Sequence, residues 1–249
     1  MITLYDIPSD IKGIAWSPNT WKTRIALQIK GLQFETVWVE YPDIADLCKK
    51  IGAAPSGTRA DGSPSYTLPV IHDSSTNTVV SESGLIARYL DKTYPNTPIL
   101  ISPETDALHG AFQEVSRFII LPHMSQLMVP PSHAHLHPPS QAYFRRTREI
   151  SFGQKIEEIS PPGAIREALL EKLQGGFTKL AEWLELDGRE KLFFTGNRVS
   201  HADLSIAGWL IWIKLILGAD SPEWLAVKTW NGGRWGRFME HFEQYEKVW

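Results

Sequence analysis

Thr67-Leu68-Pro69-Val70-Ile71-His72-Asp73, followed by Val79-Val80-Ser81-Glu82-Ser83-Gly84-Leu85-Ile86-Ala87-Arg88-Tyr89-Leu90, reads as a short strand, a turn, a second strand and a helix opened by Glu82-Ser83. The first strand is entered through a proline, which donates no ladder hydrogen bond and is out of place in a central strand. A cis Leu68–Pro69 bond resolves the conflict by turning the Leu68 backbone outward, where a peptide-like ligand can pair with it. The unpaired N–H groups at the helix start attract a carboxylate. Two ends of one small peptide can thus be held within a few residues of chain.

Outward from this stretch, Ile2–Asp6 reads as a first strand. Ser17-Pro18-Asn19-Thr20 is a helix start, with Ser17 as candidate N-cap and Pro18 at the first helical position. That helix runs through Trp21, Ile25 and Ile29 and stops at Gly31. Phe34–Glu40 alternates as a second strand, Ile44–Ile51 is a short helix, and Ala53–Tyr66 is a loop dense in Gly, Pro, Ser and Asp. Loops of that length are usually functional or disordered. The order βαβ-α-ββα implies a mixed four-stranded sheet.

No strand is convincing beyond Ser102. Candidate helices are Glu104–Leu127, Gln141–Ile156, Ile165–Leu186, Ala202–Leu217 and Gly233–Lys247, with Pro130-Pro131 and Pro138-Pro139 bracketing a break. Ser200-His201-Ala202-Asp203 starts one helix as a capping box with Asp in place of Glu. The fold class expected is α+β, with residues 1–94 as one domain, 95–103 as a linker and 104–249 as an all-helical domain.

At 249 residues the chain is long enough for two domains. Its net charge of −3 gives no reason to expect nucleic acid or an anionic membrane as partner. Ten Trp are the one compositional excess, placed for core or pocket walls. Cys48 is alone, which fits a reducing compartment. The start lacks the features of a signal peptide, and Ile206–Ala219, interrupted by Lys214, falls short of the ~20 residues of a membrane span. A cytosolic location is the expectation.

The Ser17-Pro18 helix start, Leu68-Pro69-Val70, Glu82-Ser83 with Ile86 and Tyr89-Leu90, and Ser200-x-x-Asp203 together resemble cytosolic glutathione transferases over essentially the whole chain. Trp16-Ser17-Pro18-Asn19-Thr20-Trp21-Lys22-Thr23-Arg24, with Lys30-Gly31-Leu32, is most similar to the fungal-specific A class and the related bacterial β-etherases. The resemblance implies a thioredoxin-like N-terminal half, a helical C-terminal half, glutathione as co-substrate along the sheet edge, a hydrophobic co-substrate against the helices, and a homodimer. It departs from the family in the long loop Ala53–Tyr66 and in having no basic residue in Val37–Pro42 to hold the glycyl carboxylate.

Glutathione reacts as the thiolate, which a hydroxyl donor and the positive end of a helix can stabilise. Ser17 stands at that helix end, with Asn19 as rival donor and Thr20 as a third; a plain N-cap would look the same. The absence of Cys at Ser17 and Thr20 excludes a redox-motif cysteine, and Cys48 reads as packing. Following the resemblance, Glu82 pairs with the γ-glutamyl amino group, Ser83 and the helix start take its carboxylate, and Leu68, preceding Pro69, pairs through its backbone. Phe118, Met124, Met128 and Trp212 are candidates for the hydrophobic-ligand wall, with ordinary core as the equal alternative. Asp203 and Ser200 are structural. His133, His135 and His137 alternate in a proline-flanked segment that fits a loop better than a metal site; no metal is expected. Arg88 reads as a solvated or dimer-face charge, and Arg145, Arg146 and Arg148 as a charged helix face.

Three functions compete: an enzyme directing the glutathione thiolate at hydrophobic, aromatic electrophiles (conjugation, peroxide reduction or thiolytic ether cleavage), a carrier of aromatic small molecules with little turnover, and a fold used purely for interaction. The first is favoured by the hydroxyl at Ser17 and by Glu82-Ser83.

Overall fold

The computed structural model describes residues 1–59 and 61–248. Strands β1 (Ile2–Asp6), β2 (Phe34–Trp38), β5 (Val70–Asp73) and β6 (Thr78–Ser81) form one sheet in the order β2-β1-β5-β6. β1 runs parallel to β2 and antiparallel to β5, which pairs antiparallel with β6, so the sheet is mixed as expected. Helices α1 (Pro18–Ile29), α2 (Ile44–Ile51) and α3 (Ser83–Thr93) accompany it in a thioredoxin-like arrangement. The long loop contains its own two-stranded hairpin, β3 (Gly57–Thr58) with β4 (Pro64–Ser65).

The rest of the chain is helical: α4 (Asp106–Ile119), α5 (Leu121–Ala134), α6 (Pro138–Phe152), α7 (Ile156–Ile159), α8 (Ala164–Leu184), α9 (His201–Leu217) and α10 (Pro222–Phe242). The sequence predicts one helix over Glu104–Leu127; the structure has two, parted at Ile120, with Pro122 in the first turn of the second. At this junction α8 comes so close that a Cβ on Gly176 would lie 2.2 Å from the Ile119 carbonyl oxygen.

The break bracketed by Pro130-Pro131 and Pro138-Pro139 falls at residues 135–137, but the helix before it does not end at Leu127, for α5 runs through both prolines to Ala134. Pro131 leaves the Leu127 carbonyl without its usual N–H partner. The Arg166 guanidinium takes that carbonyl at 3.3 Å and is itself held by Glu223 at 2.9 Å. Pro138 and Pro139 open α6 instead of breaking a helix, so it begins before Gln141, and it stops at Phe152. The stretch Pro222–Phe242 holds two helical pieces parted by non-helical backbone from Trp230 to Gly233. The helix expected from Gly233 thus begins just after that break and ends at Phe242, and the piece before the break is one the sequence reading did not give.

Segment 95–103 is stitched in place. Asp91 accepts from the Leu100 and Ile101 N–H groups, and buried Lys30 reaches Asp91, Thr97 and the Pro98 carbonyl. Under the sheet, Arg24 and Asp6 form an ion pair at 2.9 Å with both side chains fully buried. The guanidinium lies within 6 Å of the Trp21, Phe34 and Trp38 ring centres. Cys48 is buried in the core, where desolvation raises its thiol pKa. Among the described residues, no helix is long and apolar enough to cross a membrane.

The backbones of α1 and α9 also touch. A Cβ on Gly208 would meet the Pro18 carbonyl oxygen at 2.5 Å, so only glycine allows this approach.

Candidate functional site

Ser17 occupies the N-cap position of α1 with extended backbone, and Pro18 is in the first turn, as the sequence predicts. Its hydroxyl makes no capping hydrogen bond. The side chain, 4 % exposed, opens instead onto two adjoining cavities of about 330 and 310 Å³. Asn19 borders both and a third recess. Lys22 donates to the Asn19 amide oxygen at 3.0 Å, which leaves the NH₂ group free to donate. Thr20 is fully buried and gives its hydroxyl to the Ser17 carbonyl, which removes it from the site.

The Leu68–Pro69 bond is cis. Leu68 and Pro69 join Glu82, Ser83 and Asn19 in the third recess, so the residues expected at the γ-glutamyl and cysteinyl positions converge. Glu82, not Ser83, is the N-cap of α3, and its carboxylate accepts from the Gly84 N–H at 3.2 Å and from the Ser83 hydroxyl at 3.3 Å. Its φ of 77° is a left-sided conformation that a non-glycine residue adopts at a cost of about 1–3 kcal/mol. Such strain collects at ligand clamps. Arg88, read as a solvated or dimer-face charge, holds Asp106 and the Gly84 carbonyl and so ties α3 to α4.

Behind the clamp lies His201, fully enclosed, with Nδ1 3.3 Å from the Gln113 amide and Nε2 without a partner. Burial, followed by the nearby Lys22 charge, lowers its pKa to about 3. A group depressed from an unfolded value near 6.5 to about 3 is neutral in the fold, and the stability it contributes is lost as pH falls from 6.5 toward 3. Wild type is expected to lose its stability margin over His201→Gln across this window, by up to about 4 kcal/mol. Chemical denaturation of both proteins at pH 7 and pH 4 measures the gap; a constant gap would mean His201 does not titrate.

Asp203 is buried at the start of α9. It receives the Ser200 N–H at 2.8 Å, the Ser200 hydroxyl at 2.6 Å and the Phe194 N–H at 3.0 Å. Burial still raises its pKa to about 6. The capping-box arrangement read from Ser200 and Asp203 is present.

The 310 Å³ cavity has Trp16, Leu121, Val129, Phe144, Trp209 and Trp212 in its wall. Of the four expected wall residues, only Trp212 lines it, with its indole N–H fixed to Ser132 at 2.8 Å. Met124 and Met128 are fully buried core behind it. Phe118 does not line the cavity: it is 71 % exposed, on the outer face of α4.

Other lining residues were missed, among them Tyr41, Arg148 and Arg59. Tyr41 is anchored by its N–H to Ser140 at 2.8 Å, while Glu40 beside it accepts from Ser140 and meets His137 at 2.8 Å. Tyr41 stacks on Tyr143 and meets Phe144 at a tilt, and Arg148 lies over Phe144. Arg59, on the β3–β4 hairpin, borders the 330 Å³ cleft beside Tyr66 and Leu68. None of these carries a sequence motif; only the tertiary path of α6 and the hairpin brings them to the site. The three alternating histidines serve different partners, His133 packing on Phe144, His135 on Asp10 and His137 on Glu40, and His133 ends α5 where a loop was expected.

The family model described as "Glutathione S-transferase, C-terminal domain" matches residues 107–245, and "Glutathione S-transferase, N-terminal domain" matches residues 16–93. A glutathione S-transferase of Ceriporiopsis subvermispora, crystallised with glutathione, is 52 % identical and superposes with a TM-score of 0.97 over 99 % of this chain and 98 % of that one. Glutathione transferase GSTFuA3 of Phanerochaete chrysosporium is 42 % identical, with a TM-score of 0.94 over 99 % and 98 % of the two chains. The glutathione S-transferase-like protein ustS of Aspergillus flavus is 28 % identical over 84 % of this chain and 78 % of its own.

Proposed function

Because the chain belongs to the glutathione S-transferase family, we propose that it activates the thiolate of glutathione through Ser17 and directs it at hydrophobic, aromatic electrophiles. Glutathione is the co-substrate of this family, and relatives hold it in their crystals. The observation that carries the finer reading is the position of Ser17, whose uncapped hydroxyl opens onto both the peptide cleft and the aromatic cavity. The positive end of α1 and the Asn19 amide add to the stabilisation of a thiolate there. Conjugation, ether thiolysis and peroxide reduction all draw on the same activated sulfur. The test is steady-state turnover of an activated aromatic halide with glutathione by wild type, Ser17→Ala and Asn19→Ala.

In this reading the γ-glutamyl end lies at Glu82 and Ser83, the cysteinyl backbone at Leu68, and the glycyl end toward Arg59. The hairpin then supplies the cation that Val37–Pro42 lacks. Glu82→Ala is expected to raise the Kd for glutathione by about 10-fold or more, from one lost charge-assisted contact. Affinity for an apolar dye in the aromatic cavity should stay within about 2-fold, because the dye does not touch the lost contact. Calorimetry with each ligand checks this; a joint loss of both affinities would rule out two separable subsites.

The domain division 1–94, 95–103 and 104–249 belongs to the same proposal, with a cytosolic setting that the lone free Cys48 supports. So does a homodimer formed through exposed Leu85 on α3 and Leu108, Val115 and Phe118 along one face of α4. Sedimentation of the full chain as a monomer at micromolar concentration would exclude the dimer. A carrier role is the second reading, supported by Trp16, Trp209 and Trp212 in the cavity wall. Glutathione binding with no turnover of any aromatic electrophile would favour it.

A further inference from the structure

Arg148 stands at the boundary of the peptide cleft and the aromatic cavity and is the one cation among the described residues that line the latter, where no carboxylate accompanies it. The neighbouring acids are taken: Glu149 and Glu157 both pair with Arg145. Arg148 itself forms no ion pair among the described residues. It lies 4.5 Å over the Phe144 ring and reaches the Thr147 hydroxyl at 3.5 Å, and its charge works against the burial that raises the Tyr41 hydroxyl. Phe144, 1 % exposed, is held in turn by Trp16 and Tyr41. The guanidinium is thus oriented by packing and left without a counter-charge.

We propose that Arg148 receives an anionic oxygen group, a carboxylate or phenolate, on the aromatic co-substrate, so that the cavity selects aromatic anions over neutral aromatics of the same shape. This rests on the reading of the 310 Å³ cavity as the co-substrate site. A cation set in an aromatic wall with no partner is costly to desolvate, and an arriving anion supplies the missing pair. Charge-assisted hydrogen bonds of this kind are about twice as strong as neutral ones. Tyr41 can add a donor, since burial pushes its hydroxyl up to about 12 and keeps it protonated at neutral pH. The anion and Ser17 would then border one cavity, with the reactive carbon of the ring between them.

The test uses 3,5-dinitrobenzoate and 1,3-dinitrobenzene, which share a shape and carry no leaving group. Binding to the whole protein is read by quenching of tryptophan fluorescence, so the measurement stands even where the transferase reading fails. The benzoate should bind about 10-fold tighter than its neutral counterpart. In Arg148→Met that preference should vanish while dinitrobenzene affinity stays within about 2-fold, which also reports an intact cavity. Arg148→Lys should keep part of the preference. Absence of any preference in wild type overturns the proposal, as does an equal loss for both ligands. It is also overturned if Arg148→Met keeps the benzoate preference and abolishes discrimination between glutathione and γ-glutamylcysteine, which would assign the guanidinium to the glycyl carboxylate.

Discussion

Ser17→Ala should lower kcat/KM for glutathione-dependent turnover of an aromatic electrophile by about 100-fold, the cost of removing one preorganised donor from a developing or stored negative charge. The melting temperature should stay within about 2 °C of wild type, because the Ser17 hydroxyl caps nothing and its loss leaves no N–H group newly unpaired. The pKa of bound glutathione, followed through thiolate absorbance, should rise in the variant while its Kd changes little. Retained activity in Ser17→Ala with loss in Asn19→Ala would move the donor role to the amide, whose NH₂ faces the same space. A large fall in both activity and melting temperature would make Ser17 a structural residue.

The second large effect concerns stability. Asp6→Ala should destabilise the protein by about 3–5 kcal/mol, because it strands the buried Arg24 guanidinium. Among the described residues, Arg24 Nη1 and Nε already lack hydrogen-bond partners, so no other acceptor there takes up the charge. The Asp6 carboxylate also receives the Ile7 N–H at 2.7 Å, and that donor would be lost with it. Denaturant unfolding of Asp6→Ala and of Asp6→Ala/Arg24→Met separates the contributions. The double variant should recover much of the loss, since a buried pair replaced by apolar groups is often neutral. A single-variant cost below about 1 kcal/mol would show that the rings around Arg24 suffice to hold it.

What could be read in the sequence is what depends on neighbours a few residues apart. The proline at 69, the Ser17-Pro18 start, Glu82-Ser83 and the Ser200–Asp203 pair are local solutions to local backbone problems, and each appears where the pattern put it. The sheet order follows from alternation and connection rules. Features set by distant parts of the chain were misread. Pro130-Pro131 looks like a stop until Arg166, 35 residues on, satisfies the freed carbonyl. The burial of Arg24 against Asp6 and three rings went unread, because Asp6, Phe34 and Trp38 lie in strands outside its helix. Phe118 has the composition of a pocket residue, but it lies exposed on α4, and which face of that helix is covered depends on how distant helices pack. Tyr41, Arg59 and Arg148 reach the site only through the packing of α6 and the hairpin, which periodicity does not encode.

The contact of Gly208 with the Pro18 carbonyl divides the cavity into walls with different freedom to vary. The inner wall, with Ser17, Trp209 and Trp212, is locked to the first turn of α1, and any side chain at position 208 would pry the two helices apart. The outer wall, made by α5, α6 and the turn at Tyr41, has no such backbone contact with α1. If the proposed function holds, substrate range can therefore diverge among copies of this chain through changes at positions such as 121, 125, 148, 151 and 152, away from the contact between α1 and α9. The molecule separates the part that must stay constant for the chemistry from the part that can be edited for a new compound, and a single missing methyl group marks the seam.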